Sequence, residues 1–434
     1  MKRKEPIVVQ VDDVRVDGYG YTADRRYAVT GALPGEEIVG LPFSRQRKKL
    51  YLRPQEIRHP SPERVEPACR AAAFCGGCSF QHVSPDYQLT LKESFLRACL
   101  APISPDEWLP PITGEGQQYR TKARLGVKFV EKKGKVLVGF REKLKPYIAE
   151  NAGCPILIEP IGKLLPSIGK LVEQLSVSDK IPQIELASGD KEIALIFRHL
   201  EDLSEDDIEC LCAFGAEHGL QILLQPGGLD STHRIFPESG ELTLYYSLPD
   251  HDLRFGFSPQ DFTQVNLEIN RQMVNRALEL LALDSADCVF DAFCGIGNFS
   301  LAVARYAGRV IGAEQSESSI TRARQNGLDN HISNVDFQVL DLHAESLEIK
   351  GLEGVNKVLL DPPRSGAERL VKKLASSDIE RVVYVSCNPE TLARDAKLLV
   401  ENGFSLRSAG VINMFPHTTH VESVALLVRE DKRI

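Results

Sequence analysis

The feature that most constrains the fold is the alternation of strands and helices in the C-terminal part of the chain. From Phe257 onward, short apolar runs typical of buried strands alternate with segments of helical pattern. This order predicts an α/β domain, a mostly parallel Rossmann-like sheet covered by helices on both faces. The predicted strands cover 288–291, 309–313, 335–340, 357–360 and 382–386, the predicted helices begin at Asn298, Glu317 and Pro389, and the segments 408–413 and 423–428 predict a closing hairpin.

The first sixty residues have a different pattern, in which short strand-like runs are broken by glycine. Two of the breaks are Gly18-Tyr19-Gly20 and Leu33-Pro34-Gly35-Glu36. Such spacing predicts a small β-barrel. Through these two segments the stretch resembles the TRAM domain, an OB-like barrel of RNA-modifying enzymes, and the resemblance implies RNA binding. Four prolines between residues 54 and 67 predict that neither a helix nor a central strand crosses that span.

The length of the chain calls for more than one domain. A chain of 434 residues exceeds what one ordinary hydrophobic core holds, and two or three domains are expected. We predict a barrel over 1–62, a central α+β domain over 63–257 and the α/β domain over 258–434. In the central domain the sequence predicts a helix over 86–100 and strands over 123–130, 136–140, 193–198, 221–225 and 242–246.

Composition and charge indicate a globular cytoplasmic protein. Hydrophobic residues make up 43% of the chain, yet no apolar run approaches the roughly 20 residues that span a bilayer. We expect no membrane segment, no signal peptide, and no obligate protein partner. The net charge of −8 does not exclude a nucleic-acid partner, because affinity depends on where the positive charge lies. Residues 41–59 contain six Lys or Arg against one acid, a balance that fits either RNA contact or a solvated strand face.

A glycine turn in the α/β domain predicts a nucleotide-like ligand. The segment 289–298 is an apolar strand ending in Asp291, followed by Gly295-Ile296-Gly297 and a helix start. A dinucleotide site would favour a third glycine and a free helix N-terminus for pyrophosphate. Glu314 and Asp341 end the next two strands, where carboxylates can accept ribose hydroxyls. The pattern favours an adenosine without phosphates, as in S-adenosylmethionine, although an ordinary strand–helix corner can use the same glycines.

Two motifs predict chemistry beside that ligand. Cys387 follows a buried strand, and Asp361-Pro362-Pro363-Arg364 ends another. Methyltransferases that act on exocyclic amines place an aromatic residue after a similar D/N-P-P loop, whereas Arg364 stands here. Carbon 5 of a pyrimidine becomes nucleophilic only after a thiolate adds to carbon 6, and that requirement explains a cysteine near a methyl donor. Glu422 is a candidate base for the carbon 5 proton, or else a surface glutamate of the hairpin.

Taken together, these motifs resemble those of the RNA uracil-C5 methyltransferases. The resemblance rests on Asp361-Pro362-Pro363-Arg364, Ser386-Cys387-Asn388-Pro389, His420-Val421-Glu422 and Phe262-Thr263-Gln264-Val265-Asn266, and extends from the barrel to the C-terminus. It implies that Cys387 is the nucleophile and Glu422 the base. It also implies a site for S-adenosylmethionine lined by Gln264, Phe293, Asn298, Glu314, Asp341 and Asp361.

Four cysteines form a separate group. Cys69, Cys75 and Cys78 lie on a glycine-containing loop, and Cys154 follows far downstream. In a reducing compartment such a group predicts a metal site, either zinc or an iron–sulfur cluster. The pattern resembles a branch of the same family that combines the barrel with a 4Fe-4S cluster. That branch acts on 23S ribosomal RNA, which is therefore the implied partner and substrate.

Three alternatives remain open from the sequence. One is a methyltransferase of the same family that modifies two sites in 23S ribosomal RNA. The second is an RNA base N-methyltransferase that uses Asp361, with Cys387 not taking part. The third is a non-catalytic RNA-binding factor, against which the complete set of cofactor motifs argues.

Overall fold

The computed structural model describes residues 5–46, 48–240, 242–344 and 348–430. The strands are β1 (Ile7–Gln10), β2 (Asp13–Val14), β3 (Tyr19–Tyr21), β4 (Tyr27–Thr30), β5 (Glu37–Gln46), β6 (Lys49–Arg58), β7 (Glu107–Trp108), β8 (Lys122–Val130), β9 (Lys135–Gly139), β10 (Gln183–Ser188), β11 (Ile193–Arg198), β12 (Gln221–Gln225), β13 (His233–Phe236), β14 (Leu244–Leu248), β15 (Leu253–Phe257), β16 (Cys288–Ala292), β17 (Arg309–Glu314), β18 (Val335–Val339), β19 (Lys357–Leu360), β20 (Arg381–Ser386), β21 (Phe404–Ile412) and β22 (Glu422–Arg429). The helices are α1 (Pro85–Leu100), α2 (Ile161–Gln174), α3 (Glu205–His218), α4 (Leu267–Leu281), α5 (Ser300–Ala304), α6 (Glu317–Asp329), α7 (Glu368–Ala375) and α8 (Pro389–Val400). None of these helices has the length and apolarity that a membrane crossing requires.

The N-terminal strands form a barrel, as the glycine-broken pattern predicted. Their order is β1-β5-β6-β4-β3-β2. β1 pairs with β5 and β2 pairs with β3, and only two residues separate β1 from β2 in the chain, so this one segment closes the sheet on itself. The expectation that no strand crosses the proline-rich span was wrong at Pro54. This residue lies within β6, opposite Gly40 at a shift in register, where a proline can be accommodated.

A second six-stranded sheet occupies the middle of the chain. Its order is β13-β12-β11-β10-β8-β9, mostly antiparallel, with a single parallel pair between β11 and β12. Helices α2 and α3 pack on it around a core that includes Leu165, Ile184, Phe197 and Leu211. The sequence predicted four of these six strands but neither β10 and β13 nor the helices α2 and α3, and the strand expected at 242–246 is β14, Leu244–Leu248.

The C-terminal sheet has eight strands in the order β18-β17-β16-β19-β20-β22-β21-β7. The pairs from β18 to β20 are parallel, and β22 runs antiparallel between β20 and β21. The chain order reverses between β16 and β19, and an open α/β sheet binds its ligand at the carboxyl edge next to such a reversal. The alternating strands and helices predicted this architecture, including the closing hairpin.

Two segments from the predicted central domain pack on the C-terminal sheet. Strand β7 pairs in parallel with β21, and α1 contacts α8 and β21. The β14–β15 hairpin contributes Tyr246 and Phe255 to the core that also holds α4 and β16. The domain limits 1–62, 63–257 and 258–434 therefore stay a prediction from the sequence.

A buried ion pair fixes the end of the barrel to the following segment. The carboxylate of Glu36 is fully buried and accepts bonds of 2.5 and 2.7 Å from the guanidinium of Arg64. The backbone N–H groups of Leu33 and Ser61 also donate to it, at 2.8 and 3.1 Å. These donors hold the pKa of Glu36 below its usual range despite burial. The pair therefore joins the barrel to the chain that leads toward Cys69.

Replacing Arg64 with methionine should leave the Glu36 carboxylate buried without its cation. Removing one member of a buried pair costs on the order of 3 kcal/mol, so amides of β1 and β5 should exchange with deuterium on the order of a hundredfold faster. Arg45→Met is the matched control, because Arg45 is an exposed arginine of the same barrel. Equal exchange in the two variants would show that the ion pair does not stabilise the barrel.

Candidate active site

The candidate site residues follow one another along the carboxyl edge of the C-terminal sheet. Glu314 ends β17, and Asp341 comes shortly after β18. Phe293 follows β16, Asp361 follows β19, and Cys387 follows β20. Glu422 begins β22, which is antiparallel, so its first residue lies at the same edge. The predicted cofactor residues Phe293, Glu314 and Asp341 thus lie on one side of the chain reversal, while Asp361, Cys387 and Glu422 lie on the other.

The glycine turn after β16 is tightly bent. Gly295 and Gly297 have φ angles of +55° and +91°, and the non-glycine residue Phe293 has a φ of +66°. A Cβ at Gly297 would also lie 3.3 Å from the side chains of Leu301 and Phe337, so both conformation and space require glycine there. The backbone N–H of Phe293 donates to Ala313 on β17 at 2.9 Å. The turn is therefore fixed against the strand that ends in Glu314.

The carboxylates beyond this turn are held by backbone donors. Glu314 accepts N–H bonds from Gly295 at 3.3 Å and from Ser316 at 3.1 Å. Asp341 is exposed and accepts from the N–H of His343 at 2.9 Å. The ring of His343 lies 5.5 Å from that of Phe293. The structure therefore brings three of the predicted cofactor residues to one place.

Asn298 and Gln264 come from the starts of helices and not from strand ends. The amide of Asn298 forms a reciprocal pair with the amide of Asn270, both bonds being 3.0 Å, and also accepts from the hydroxyl of Tyr246 at 2.8 Å. These contacts hold Asn298 beside the glycine turn. Gln264 is partly exposed in the loop between β15 and α4, just after the strongly exposed ring of Phe262.

Asp291 is the last polar residue of β16, and its role was not predicted from the sequence. It is completely buried and accepts a hydrogen bond from Ser300. Its other oxygen has no hydrogen-bond partner among the described residues. Burial raises the pKa of Asp291 to about 7, and nearby Asp361 and Glu314 add to the shift. Asp291 therefore adds a carboxyl group of shifted pKa directly beneath the turn.

Strand pairing brings Cys387 and Glu422 together. Ser386 of β20 pairs with Ser423 of β22, so Cys387 and Glu422 are the next opposed positions of the same antiparallel ladder. On the other side of β20, Leu360 pairs with Tyr384, and Asp361 follows directly. Cys387 is the single residue between β20 and Asn388, whose side chain accepts from the N–H of Glu390 and caps α8. Strand and cap together fix the cysteine at the edge.

These three groups are buried enough to favour their neutral forms. Burial raises the pKa of the Cys387 thiol to about 11, with further contributions from Glu422 and Asp361. Burial likewise raises the pKa of Asp361 to about 7. The pKa of Glu422 rises to about 8, through burial first and Asp361 second, against the opposing charges of Arg364 and Lys92. Carboxyl groups that titrate near neutral pH can both accept and give protons.

A loop over 413–421 connects β21 to Glu422 and is held by the N-terminal half of the chain. The N–H groups of Ser79 and Phe80 both donate to the carbonyl of His417, at 2.8 and 3.0 Å. The side-chain oxygen of Gln88 accepts from the N–H of His417 at 2.9 Å. The hydroxyl of Tyr119 donates to the carbonyl of Pro416 at 3.1 Å. Residues before the C-terminal domain therefore fix the segment that leads to Glu422.

The four predicted metal ligands lie in one region. The pKa of the Cys78 thiol is raised to about 12, by burial first and then by the neighbouring thiols of Cys154, Cys75 and Cys69. N–H donors point at the sulfur atoms: Asn151 to Cys69 at 3.3 Å, Gln81 to Cys78 at 3.3 Å, and Gly77 to Cys75 at 3.4 Å. In the described part of the chain, no three or more His, Cys, Asp or Glu side chains form a group that could hold a metal ion.

The basic stretch on the barrel is partly neutralised. Arg58 pairs with Glu37 and Glu56, each at 2.9 Å. The ammonium of Lys49 lies 4.6 Å from the centre of the Tyr21 ring, and the guanidinium of Arg53 lies 5.2 Å from that of Phe43. Arg45 and Lys48 are exposed, while Arg47 lies outside the described residues. The stretch therefore presents a smaller free positive charge than the sequence count indicated.

Sequence reasoning missed Lys92 and Gln88, which reach the loop from α1. The sequence predicted a helix over 86–100 but not which of its side chains are buried, and the residues buried in α1 are Gln88, Lys92, Leu96 and Leu100. These four residues follow one another at intervals of four, so the position of Gln88 and Lys92 on the same helix face as the two leucines was the signal that could have shown their burial.

The strand order, its reversal and the glycine turn define the class: a Rossmann-like methyltransferase fold. The family model described as tRNA (Uracil-5-)-methyltransferase matches residues 84–430. The chain therefore belongs to the uracil-5 RNA methyltransferase family that this model defines.

Similar proteins of known name cover almost the whole chain. The protein of Hahella chejuensis named 23S rRNA (uracil(1939)-C(5))-methyltransferase RlmD is 44% identical over 98% of this chain and 97% of its own length. The protein of the same name from Legionella pneumophila strain Lens is 46% identical over 92% and 91%. Among solved structures, the Pyrococcus abyssi tRNA (uracil-54, C5)-methyltransferase in complex with S-adenosyl-L-homocysteine superposes with a TM-score of 0.76 at 25% identity, covering 97% of this chain and all of that one.

The carboxylate of Glu422 should slow alkylation of Cys387. In Glu422→Gln the negative charge that contributes most to the raised pKa of Cys387 disappears. The thiol pKa should therefore fall, and iodoacetamide should modify Cys387 up to about tenfold faster at pH 9, the change that accompanies one pKa unit. Peptide mass mapping separates Cys387 from the other nine cysteines. Glu430→Gln, just beyond the other end of β22, is the control and should react like the unmutated protein. An unchanged rate in Glu422→Gln would mean that the two side chains do not interact.

Proposed function

We propose that this protein is a 23S ribosomal RNA methyltransferase that transfers a methyl group from S-adenosylmethionine to carbon 5 of a uridine. Family membership and the near full-length similarity to RlmD proteins support the reaction and the substrate. The observation that carries the mechanism is the position of Cys387 opposite Glu422, one step beyond the last β20–β22 pair, with Asp361 directly after the adjoining strand β19. A thiol and a base beside a methyl donor match what carbon 5 of a uracil requires.

We assign the cofactor to the β16–β18 side of the edge. Glu314 is oriented by two backbone donors and supplies the carboxylate for ribose hydroxyls. Asp341, Phe293, Asn298 and Gln264 belong to the same predicted set, and Asp361, across the chain reversal, completes it on the side of Cys387. The similar Pyrococcus abyssi enzyme is described in complex with S-adenosyl-L-homocysteine, which supports this assignment. When bound, S-adenosylmethionine supplies an electrophilic methyl group.

In the proposed reaction the Cys387 sulfur forms a bond to carbon 6 of the uracil, and the displaced electron pair activates carbon 5. The thiol carries its proton at neutral pH, since its pKa is raised to about 11, so a neighbour must accept that proton. Asp361 is assigned this part because its pKa, about 7, is lower than that of Glu422, about 8, which makes it the more readily ionised acceptor and leaves Glu422 for the later step. After methylation, Glu422 takes the carbon 5 proton, the carbon 6–sulfur bond breaks, and Cys387 leaves as thiolate.

The four cysteines are proposed to hold a 4Fe-4S cluster through Cys69, Cys75, Cys78 and Cys154. The thiols of Cys154, Cys75 and Cys69 each add to the raised pKa of the Cys78 thiol, and N–H donors point at three of the sulfurs, as is common around thiolate ligands. The loop continues directly into Ser79 and Phe80, which bind the carbonyl of His417. A cluster there would fix the fold of this loop, and no step of the reaction passes through it.

The barrel is proposed to contact RNA phosphates without reading sequence. Exposed Arg45 and Lys48 and the aromatic rings of Tyr19 and Tyr51 on the same barrel support this role. Such contacts position the substrate, whereas the choice of uridine depends on the site at the sheet edge. An RNA base N-methyltransferase is the competing function, and Arg364 in place of an aromatic residue after the D-P-P motif speaks against it.

The roles of Cys387 and Glu422 predict failures at different stages. Cys387→Ala should form neither 5-methyluridine nor an adduct, because nothing activates carbon 5. Glu422→Gln should transfer the methyl group and then stall, so a denaturation-resistant complex with RNA should accumulate only with S-adenosylmethionine. RNA containing 5-fluorouridine should trap the unmutated enzyme in the same way, since fluorine cannot leave as a proton. Denaturing gels and nucleoside mass spectrometry measure both outcomes, and methylation by Cys387→Ala would establish the amine-methylation alternative.

The cluster predicts a specific metal content. Protein purified without oxygen should be brown and contain about four irons per chain. Cys154→Ser should lower the iron content and expose residues 69–78 to proteolysis, because the fourth ligand joins distant parts of the chain. Cys210→Ser, at a partly buried cysteine of α3, is the control and should keep both. Stoichiometric zinc in colourless protein would contradict the assignment.

A further inference from the structure

Lys92 is a charged residue in the interior with no role in the proposed reaction. Its side chain, on α1, is completely buried. Moving an ammonium group out of water is costly unless partners compensate for the lost hydration. Burial accordingly lowers the pKa of Lys92 to about 7. A lysine in this position must therefore make an interaction that an apolar residue could not make.

The contacts of Lys92 all lie at the beginning of the loop over 413–421. Its ammonium donates to the side-chain oxygen of Asn413 and to the carbonyl of Phe415, each at 2.9 Å. Ile412, just before Asn413, pairs with Glu422 in the β21–β22 ladder. The anchored residues therefore follow directly after the strand position opposite the proposed base.

Both of these acceptors are neutral, so the two hydrogen bonds alone do not explain why a residue with a positively charged form is buried here. The charged and titratable groups that interact with Glu422 are Asp361 after β19, Cys387 after β20, Arg364 in the D-P-P loop and Lys92 on α1. Of these four, only Arg364 and Lys92 lower the pKa of Glu422 and so favour its ionised form. Arg364 is exposed and its charge is screened by water, whereas the charge of Lys92 is buried.

We infer that Lys92 is a positioning residue of the reaction: its ammonium anchors the loop that leads to Glu422, and its positive charge favours the ionised form of that carboxylate, which must take the carbon 5 proton. The influence is reciprocal, since the charge of Glu422 favours the protonated form of Lys92. His417 and His420 lie on the same loop; burial lowers the pKa of both side chains, and the charge of Lys92 adds to each shift. The inference rests on the proposed function, because it concerns the release step of that reaction.

The test measures adduct release against pH. The covalent complex is formed with RNA and S-adenosylmethionine, and its decay is followed in single turnover between pH 6 and 9.5. In the unmutated enzyme release should accelerate as pH rises through the titration of Glu422. Lys92→Gln keeps N–H donors and removes the charge, so the midpoint should move up by about one pH unit, which is about tenfold slower release at pH 7 with recovery at high pH.

A second variant keeps the lysine in place. Asn413→Asp puts a carboxylate beside Lys92, offsets its charge, and should raise the midpoint in the same direction even if Lys92→Gln does not fold. Lys357→Gln is the control. Lys357 is a buried lysine of β19 that pairs with Asp287 away from the site, and its replacement should leave the midpoint unchanged.

An unshifted midpoint in Lys92→Gln and Asn413→Asp, or release slowed equally at every pH, would overturn the inference. Parallel reactions of the unmutated enzyme and Cys387→Ala keep the two questions separate. If the unmutated enzyme forms neither adduct nor 5-methyluridine, the proposed function fails. If it forms both and only the midpoints are unshifted, the role of Lys92 alone fails.

Discussion

The partial burial of three ionisable side chains at one edge of three adjacent strands is the constraint on which the rest of the site depends. Asp361, Cys387 and Glu422 cannot all carry negative charge in so confined a space, and burial raises the pKa of each. The consequence is a set of groups that exchange protons near neutral pH. A water-exposed arrangement of the same residues would hold two permanent carboxylates and could not cycle through the proposed steps.

Holding these groups in place requires parts of the chain that lie far away in sequence. The register of β20 with β22 sets Cys387 opposite Glu422, while the loop before Glu422 is fixed by α1, by Tyr119 and by the segment after Cys78. The cysteine loop and the reaction site are therefore connected through the loop over 413–421. This connection gives the N-terminal half of the protein a direct structural part in the proposed chemistry, in addition to the RNA contact proposed for the barrel.

The sequence predicted the barrel strands, the α/β architecture and the edge to which the site residues converge, because these follow from local patterns of apolar residues and glycine. It did not predict α2, which contains Pro166, or the two-residue strand β7, which exists only through its pairing with β21. The family resemblance pointed to Cys387 and Glu422, but their shared ladder position depends on long-range pairing. Lys92 was missed because a lysine in an amphipathic helix is ordinarily solvated.

The most direct test of the central claim is the fate of the carbon 5 hydrogen. RNA carrying tritium at carbon 5 of its uridines should release tritium in step with methyl transfer when the unmutated enzyme acts on it. In Glu422→Gln the methyl group should still enter the covalent complex while the tritium stays on carbon 5. Tritium release equal to methyl transfer in that variant would contradict the account, since the proton would then leave without Glu422.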